Sequence, residues 1–284
     1  VPKIMVSTMA SGDTSPYVGA SDIMMFPSIV DVAGINSFFA TIFSNAVAAM
    51  TGMLEHPAPK HEDSKPLVAA TMFGVTTPAV QKVQAYLESK GYEVLVFHAT
   101  GTGGKCMESL INGGFINGVL DLTTTEWCDE IAGGVLNAGP DRCSAAALNG
   151  VPAVVSVGAD DMVNFGPWNT VPEHYQGRNL YRHNPSVTLM RTTVEENEKI
   201  GHAIASKVNM SIGPCAVMLP LKGVSMIDAE GQPFYAPEED AALFKTLGEE
   251  IDPTKAELIE IGTHVNDDEF AIAAAQKLID LMNK

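Results

Sequence analysis

Val94-Leu95-Val96-Phe97-His98-Ala99-Thr100-Gly101-Thr102-Gly103-Gly104-Lys105 changes character in its middle. The first half is apolar and β-branched, as a buried parallel strand is. It stops at a histidine, passes through a turn of glycine and threonine, and resumes with a helical pattern. A strand that feeds a helix through glycines is how an α/β fold makes an anion site. Glycine lets the backbone come close to a ligand, and the first amides of the helix have no intrahelical partner. Lys105 can add a point charge. The pattern matches neither the full P-loop nor the dinucleotide fingerprint.

The same grammar repeats on both sides of this stretch. Leu67 to Phe73 reads as a strand, Pro78 to Ser89 as a helix that starts at Thr76-Thr77-Pro78 and ends at Gly91, and Gly118 to Leu122 as another strand. A β-α-β-α-β run predicts a right-handed, doubly wound parallel sheet of Rossmann-like α/β class. Ligands of such sheets lie beyond the carboxyl ends of the strands. Three polar turns fall there: Gly74-Val75-Thr76-Thr77, Ala99 to Lys105, and Thr123-Thr124-Thr125-Glu126. Their shared edge is the candidate site, although threonine and glutamate at helix starts also serve as caps.

Further along, a helix is expected at about 141–148, then a buried strand at 151–157. From 158 to 185 the periodicity fails and aromatic and ionisable residues gather, which suggests an ordered lid or wall over the strand ends. His174 and His183 there are candidate acids or bases, and their spacing fits no metal motif. Strands at 187–191, 215–219 and 257–261 alternate with helices reaching about 208, 249 and 282. Lys222, after the second of these strands, can also face the site.

Residues 1–60 read differently: two short strands and a long helix from about Ile35 to Met53, too little for an independent core. The sequence opens without methionine and enters a strand at once, so this segment is expected to begin in mid-fold and to complete something else. It would be completed by a separate N-terminal portion or another subunit. Ser11, Gly12 and Asp13 form a polar turn that can touch a ligand. The proline-rich, charged stretch 56–66, with histidines 56 and 61, reads as a linker.

Composition narrows the partners. In 284 residues Lys and Arg number 17 against 34 Asp and Glu, a formal charge of −17 that argues against nucleic acid or an anionic membrane as partner. The four cysteines show no Cys-x-x-Cys spacing and are expected to be free thiols of a reducing compartment. No apolar run reaches the roughly eighteen residues a membrane helix needs, so a cytoplasmic location is expected.

Thr71-Met72-Phe73-Gly74-Val75-Thr76-Thr77-Pro78, Val96-Phe97-His98-Ala99-Thr100-Gly101 with Gly103-Gly104, Gly118 to Glu126, and Asp161-Met162-Val163-Asn164-Phe165-Gly166-Pro167 are long ordered words. Met190-Arg191-Thr192-Thr193 and Asn266-Asp267 with Glu269-Phe270 extend them. Through these words the sequence resembles the ATP-binding family similar to the plant tobamovirus-resistance inhibitor, whose bacterial members form an uncharacterised protein family. The resemblance implies tandem Rossmann-like subdomains, with residues 1–60 as the end of a first α/β subdomain and 66–284 as the complete second one, a homodimer, and ATP, with or without magnesium, in the cleft between subdomains.

Three functions follow as expectations. The first is a nucleotide- or phosphate-binding protein using Thr76, Thr77, Thr100, Gly101, Thr102, Gly103, Gly104, Lys105, Thr123, Thr124 and Thr125, with Ser11, Gly12 and Asp13 as further contacts. The second is an enzyme of lyase or hydrolase type on a small phosphorylated or carboxylated substrate, with His98, Glu126 or His174 as acid or base. The third is an interaction or inhibitor module. Replacing Gly103 by Val is expected to abolish nucleotide binding and spare the fold.

Overall fold

A computed structural model describes residues 1–56 and 65–284. The linker expected at 56–66, apart from its ends, and the boundary placed at residue 60 lie outside the described residues, as does His61. The chain divides into two compact units, Val1–Ser64 and Lys65–Lys284.

In the first unit, strand β1 (Ile4–Ser7) leads through the short helix α1 (Ser15–Val18) to β2 (Met24–Pro27), which lies parallel to β1, and then to helix α2 (Ser37–Glu55). Asn36 starts α2: its side-chain oxygen accepts from the Phe38 and Phe39 amides, each at 3.0 Å. Only Phe39 and Ala46 of this helix are buried, and Phe38, Val47 and Leu54 are exposed. The expectation of no membrane-length apolar segment needs correction. The 19 residues of α2 are long and apolar enough to cross a membrane by length and composition. Thr41, Ser44 and Asn45 interrupt the apolar run but leave the helix apolar on average.

The second unit runs β3 (Leu67–Met72), α3 (Thr77–Ser89), β4 (Glu93–His98), α4 (Thr102–Asn112), β5 (Gly118–Thr123), α5 (Glu126–Ala132), α6 (Ser144–Asn149), β6 (Ala153–Gly158), β7 (Met162–Phe165), β8 (Leu180–Asn184), β9 (Val187–Arg191), α7 (Val194–Val208), β10 (Cys215–Pro220), α8 (Pro237–Glu250), β11 (Glu257–Ile261) and α9 (Asp268–Met282). Six strands form one all-parallel sheet in the order β11-β10-β6-β5-β3-β4, flanked by helices: the Rossmann-like α/β class read from the sequence. Chain order reverses at β3, which has β4 on one side and β5 on the other. The crevice of the topological switch point therefore opens beyond β3 and β5.

Alternation along the strands feeds two cores. Val68, Ala70, Leu120, Val154 and Met218 pack against Leu87 of α3 and Phe270 and Leu278 of α9. Ala69, Val119, Val155 and Val217 face Met107 and Ile111 of α4, Ile200 and Ile204 of α7, and Leu243 of α8. The stretch at 94–98 departs from its reading as a buried strand. As β4 it is the outermost strand of the sheet, with Val96 and His98 exposed, because the first crossover carries the chain outward and the second carries it back past β3.

Residues 158–185 are ordered but not structureless. β7, β8 and β9 make a three-stranded antiparallel sheet in the order β7-β9-β8. Tyr175 pins the intervening segment, donating to the Ala132 carbonyl at 2.7 Å with its ring 5.7 Å from that of Phe165. Short strands joined through 3-10 turns carry too few residues for a period of two to emerge. All four cysteines are free, and Cys128, Cys143 and Cys215 are buried.

Candidate functional site

At the glycine turn the chain does form an anion site, and a side chain of the same unit occupies it. Gly101 turns the chain at φ +82°, the left-handed region that glycine favours, and α4 begins at the next residue. Glu126, the first residue of α5, places Oε1 2.6 Å from the Gly101 nitrogen and 3.1 Å from the Gly104 nitrogen, accepting from both amides. Its Oε2 accepts from Arg142 Nε at 2.5 Å. A carboxylate thus sits where a phosphate was expected, held by helix amides and a guanidinium.

Arg142 is the centre of a wider network and is 1% exposed. It donates to both oxygens of Asp121, Nη2 to Oδ1 at 2.6 Å and Nη1 to Oδ2, and lies 3.6 Å from Glu108. Glu108 in turn accepts from the Cys143 and Ala145 amides at 2.7 and 2.6 Å, at the start of α6. Burial opposes the Arg142 charge, but Asp121 and Glu126 beside it hold its pKa well above the usual value. Burial raises the pKa of Glu108, against the pull of Arg142. One desolvated cation ringed by carboxylates ties β5, α4, α5 and α6 together.

The threonines of the polar turns face inward. Thr71 donates to Asp121 at 2.8 Å and accepts from the Thr123 amide at 3.0 Å. The hydroxyls of Thr76 and Thr123 are 2.8 Å apart. Thr124 Oγ1 lies 2.8 Å from the Ser156 carbonyl oxygen and 2.9 Å from Asp160 Oδ2, and Thr125 donates to the Met162 carbonyl. Thr76, Thr123, Thr124 and Thr125 are fully buried, so their hydroxyls stitch the carboxyl ends of the strands to one another. Thr77 donates to the Phe73 carbonyl and Thr100 to that of His98. Thr102 and Lys105 are exposed on α4, and Gly101 and Gly104 are buried under Glu126. A Cβ on Gly103 would collide with the His98 carbonyl oxygen, so the expectation that Gly103→Val spares the fold does not hold.

The three acid–base candidates differ in their surroundings. Glu126 is buried at the glycine turn. His98 is exposed with its ring 5.4 Å from Phe73, and His174 is exposed against Tyr175 at 4.1 Å. Ser11, Gly12 and Asp13 are exposed in the first unit, where Asp13 accepts from the Ser15 amide at 2.9 Å. Among the described residues no group of three His, Cys, Asp or Glu side chains is arranged to hold a metal ion.

Open space lies elsewhere on the same carboxyl edge. A groove of about 740 Å³ sits beyond β10 and β11, walled by residues 221–230, the start of α8 and the turn before α9, with Pro78 of α3 on its rim. Leu221, Met226 and Tyr235 line it and are 42%, 51% and 47% exposed, an apolar wall open to solvent. Lys222 is the one cation among the lining residues, beside Asp228, Glu230, Asp240, His264 and Asp267. His264 Nδ1 accepts from the Asn266 amide at 3.1 Å, so Nε2 carries the ring proton and donates to the Ser225 carbonyl at 2.9 Å.

Behind the wall Arg191 donates to Asp240 at 2.6 Å and to the Phe234 carbonyl at 2.8 Å. Burial pushes Asp228 up to about 9 and Asp161 up to about 6. Of this region the sequence marks Lys222 as able to face the site, and Asp161, Arg191, Asn266 and Asp267 only as parts of the words that carry the family resemblance. The signals available were the Asp160-Asp161 pair straight after a buried strand and an arginine ending β9, each of which needs a partner once buried.

Residues 1–59 match the family model described as the N-terminal domain of the uncharacterised protein family UPF0261, and residues 65–282 match that family's C-terminal domain. The chain is 58% identical to a UPF0261 protein of Clostridium tetani, over all of this chain and 70% of that protein. It is 50% identical to a UPF0261 protein of Rhizobium meliloti, over all of this chain and 71% of that protein. It is also 45% identical to the ToMV resistance protein Tm-1(GCR237) of Solanum lycopersicum, over all of this chain and 38% of that protein.

Proposed function

The chain belongs to the uncharacterised protein family UPF0261, and on that footing we propose that its 65–284 unit binds a nucleotide, ATP as its magnesium complex, in the groove at the carboxyl edge of the sheet. The observation that carries this reading is the pairing of an exposed apolar wall, Leu221, Met226 and Tyr235, with the single cation Lys222 in a groove of about 740 Å³. Ligand pockets combine apolar walls with a few polar groups in this way, and their usual size is ~300–1,000 Å³. Tyr235 offers a face for a nucleobase, and Lys222 a charge for a phosphate.

Magnesium enters because of the charge balance. Asp228, Glu230, Asp240 and Asp267 line the groove against one lysine, and a bare triphosphate would be repelled. A magnesium ion is ordinarily held by one or two carboxylates together with the phosphates it accompanies. The exposed carboxylates of Glu230 and Asp267 are placed to do this.

The glycine turn is the weaker phosphate site, since Glu126 would have to leave both the amides and Arg142 to admit one. Binding is favoured over catalysis because Glu126 is buried and held by two amides and Arg142, while His98 and His174 are exposed.

Calorimetric titration of ATP with and without magnesium tests the reading. Binding in the presence of magnesium, weakened by Lys222→Glu and by Tyr235→Ala, supports it. No binding under either condition, or equal affinity in both variants, overturns it.

A further inference from the structure

Asn266, on the rim of the groove, has both ends of its side-chain amide in use on a segment far from it in sequence. Its Oδ1 accepts from the Ala79 amide at 3.1 Å, and its Nδ2 donates to the Val75 carbonyl at 2.9 Å. Ala79 lies in the first turn of α3, where a helix leaves its amides without intrahelical acceptors. Thr76, which precedes that helix, makes no capping bond to it. Its hydroxyl accepts from the Phe73 amide at 3.0 Å and pairs with Thr123 instead. Asn266 thus caps α3 from another element. Its backbone is engaged as well: the carbonyl accepts from Lys82 Nζ at 2.9 Å, and the amide donates to His264 Nδ1 at 3.1 Å.

The two side-chain partners demand opposite chemistry. An amide N–H needs an acceptor and a carbonyl needs a donor, which also fixes which end of the Asn266 side chain is oxygen. An aspartate would repel the Val75 carbonyl, and a leucine would serve neither partner. The bonds join places that the sheet keeps apart. The Val75 turn follows β3 and Asn266 follows β11, and β5, β6 and β10 stand between those strands. The Val75 carbonyl also accepts from the Met226 amide at 3.1 Å, which brings the loop after β10 to the same atom. That loop is laced to the one after β11, from the Lys222 amide to the Thr263 carbonyl and from the Val265 amide to the Gly223 carbonyl, each at 3.0 Å. Asp267, next to Asn266, accepts from the His264 amide at 2.9 Å. Both loops that wall the groove therefore meet the start of α3 at one carbonyl, and Lys222, His264 and Asp267 are carried on them.

We propose that Asn266 is the positioning residue of the groove: it holds the loops after β10 and β11 to the start of α3, so that the groove is built before a ligand arrives. Loops ordered in advance spare a ligand the entropy cost of ordering them, and affinity in the groove then depends on the Asn266 amide. That the ligand is magnesium ATP rests on the groove reading given above, whereas the placement of the loops does not.

Two measurements on the whole chain test this. Amide hydrogen exchange compares the parent with Asn266→Leu, and with Asn266→Asp, which keeps the acceptor for α3 and is the variant to read if Asn266→Leu does not fold. Exchange in 74–79 and 222–228 is expected to quicken about tenfold or more, with α7 unchanged, since Ile200 and Ile204 of α7 pack on the other face of the sheet from α3 and α9. Calorimetry of magnesium ATP is expected to show affinity about tenfold or more weaker in the same variant, the usual effect of losing a group that orients ligating side chains. Uniform quickening on both faces, or none in 74–79 and 222–228, overturns the inference whatever the ATP result. Selective quickening with unchanged affinity also overturns it and leaves the nucleotide reading standing. If the parent does not bind magnesium ATP, the nucleotide reading falls, and the exchange pattern alone decides whether Asn266 positions the groove.

Discussion

The Glu126 carboxylate lies 2.6 Å from the Gly101 amide nitrogen, in the position that a phosphate takes at a glycine-rich helix start. The same carboxylate accepts from Arg142 at 2.5 Å, so the anion of this site is covalently part of the fold. A motif that reads as ligand chemistry here does structural work. It fixes α4 against α5, and through Arg142 it fixes both against Asp121 of β5.

Glu126→Gln should therefore destabilise the protein strongly. It leaves the buried Arg142 short of one partner and presents an NH2 group to amide donors or to a guanidinium. Breaking a buried pair from one side costs about 3–5 kcal/mol, and urea unfolding followed by circular dichroism should show a loss of that order. A loss under 1 kcal/mol, by that scale, would mean the carboxylate is not the anchor described.

Gly103→Ala tests the close approach at the start of α4. The added methyl collides with the His98 carbonyl oxygen, a backbone atom that cannot swing aside. Overpacking of this kind costs about 1–3 kcal/mol or more, to be read as a lowered Tm. An unchanged Tm would contradict the geometry.

Asp129 links stability to pH. Burial raises its pKa from 3.8 to about 7, against the pull of the Asn164 and Leu136 amides that donate to it. Between those two values the folded protein keeps a proton that the unfolded chain gives up. The contribution of Asp129 to stability is thus largest below pH 4 and falls as pH rises towards 7, after which it is constant. Carbon-13 titration of this carboxyl group should place its midpoint near neutrality, and a midpoint near 4 would refute the assignment.

Tyr235→Ala and Lys222→Ala address the groove. Both side chains are solvent-exposed, so each change should leave the unfolding midpoint within about 0.5 kcal/mol of the parent. Each should weaken magnesium ATP about tenfold or more, as the loss of one stacking face or one phosphate charge does. Paired thermal melts and calorimetry separate the two effects.

The sequence by itself determined the class of this fold. Apolar strands of five or six residues alternating with amphipathic helices admit little besides a parallel sheet covered on both faces, and the positions of β3, β5, β6, β10 and β11 follow from that alternation. It also determined which edge holds the polar turns, because connections after strands all emerge on one side. Strand order was beyond it, and with it the fact that the 94–98 stretch is an outer strand. Only the tertiary structure decided whose anion fills the glycine turn. Glu126 and Gly101 are 25 residues apart, and nothing local distinguishes a helix-capping glutamate from one that reaches into the next turn. The same holds for Arg191 with Asp228 and Asp240: local chemistry reads each as a surface charge, and only their joint burial makes them a site. Periodicity records which side of an element is apolar, whereas the pairing of distant charges is set by how whole elements pack.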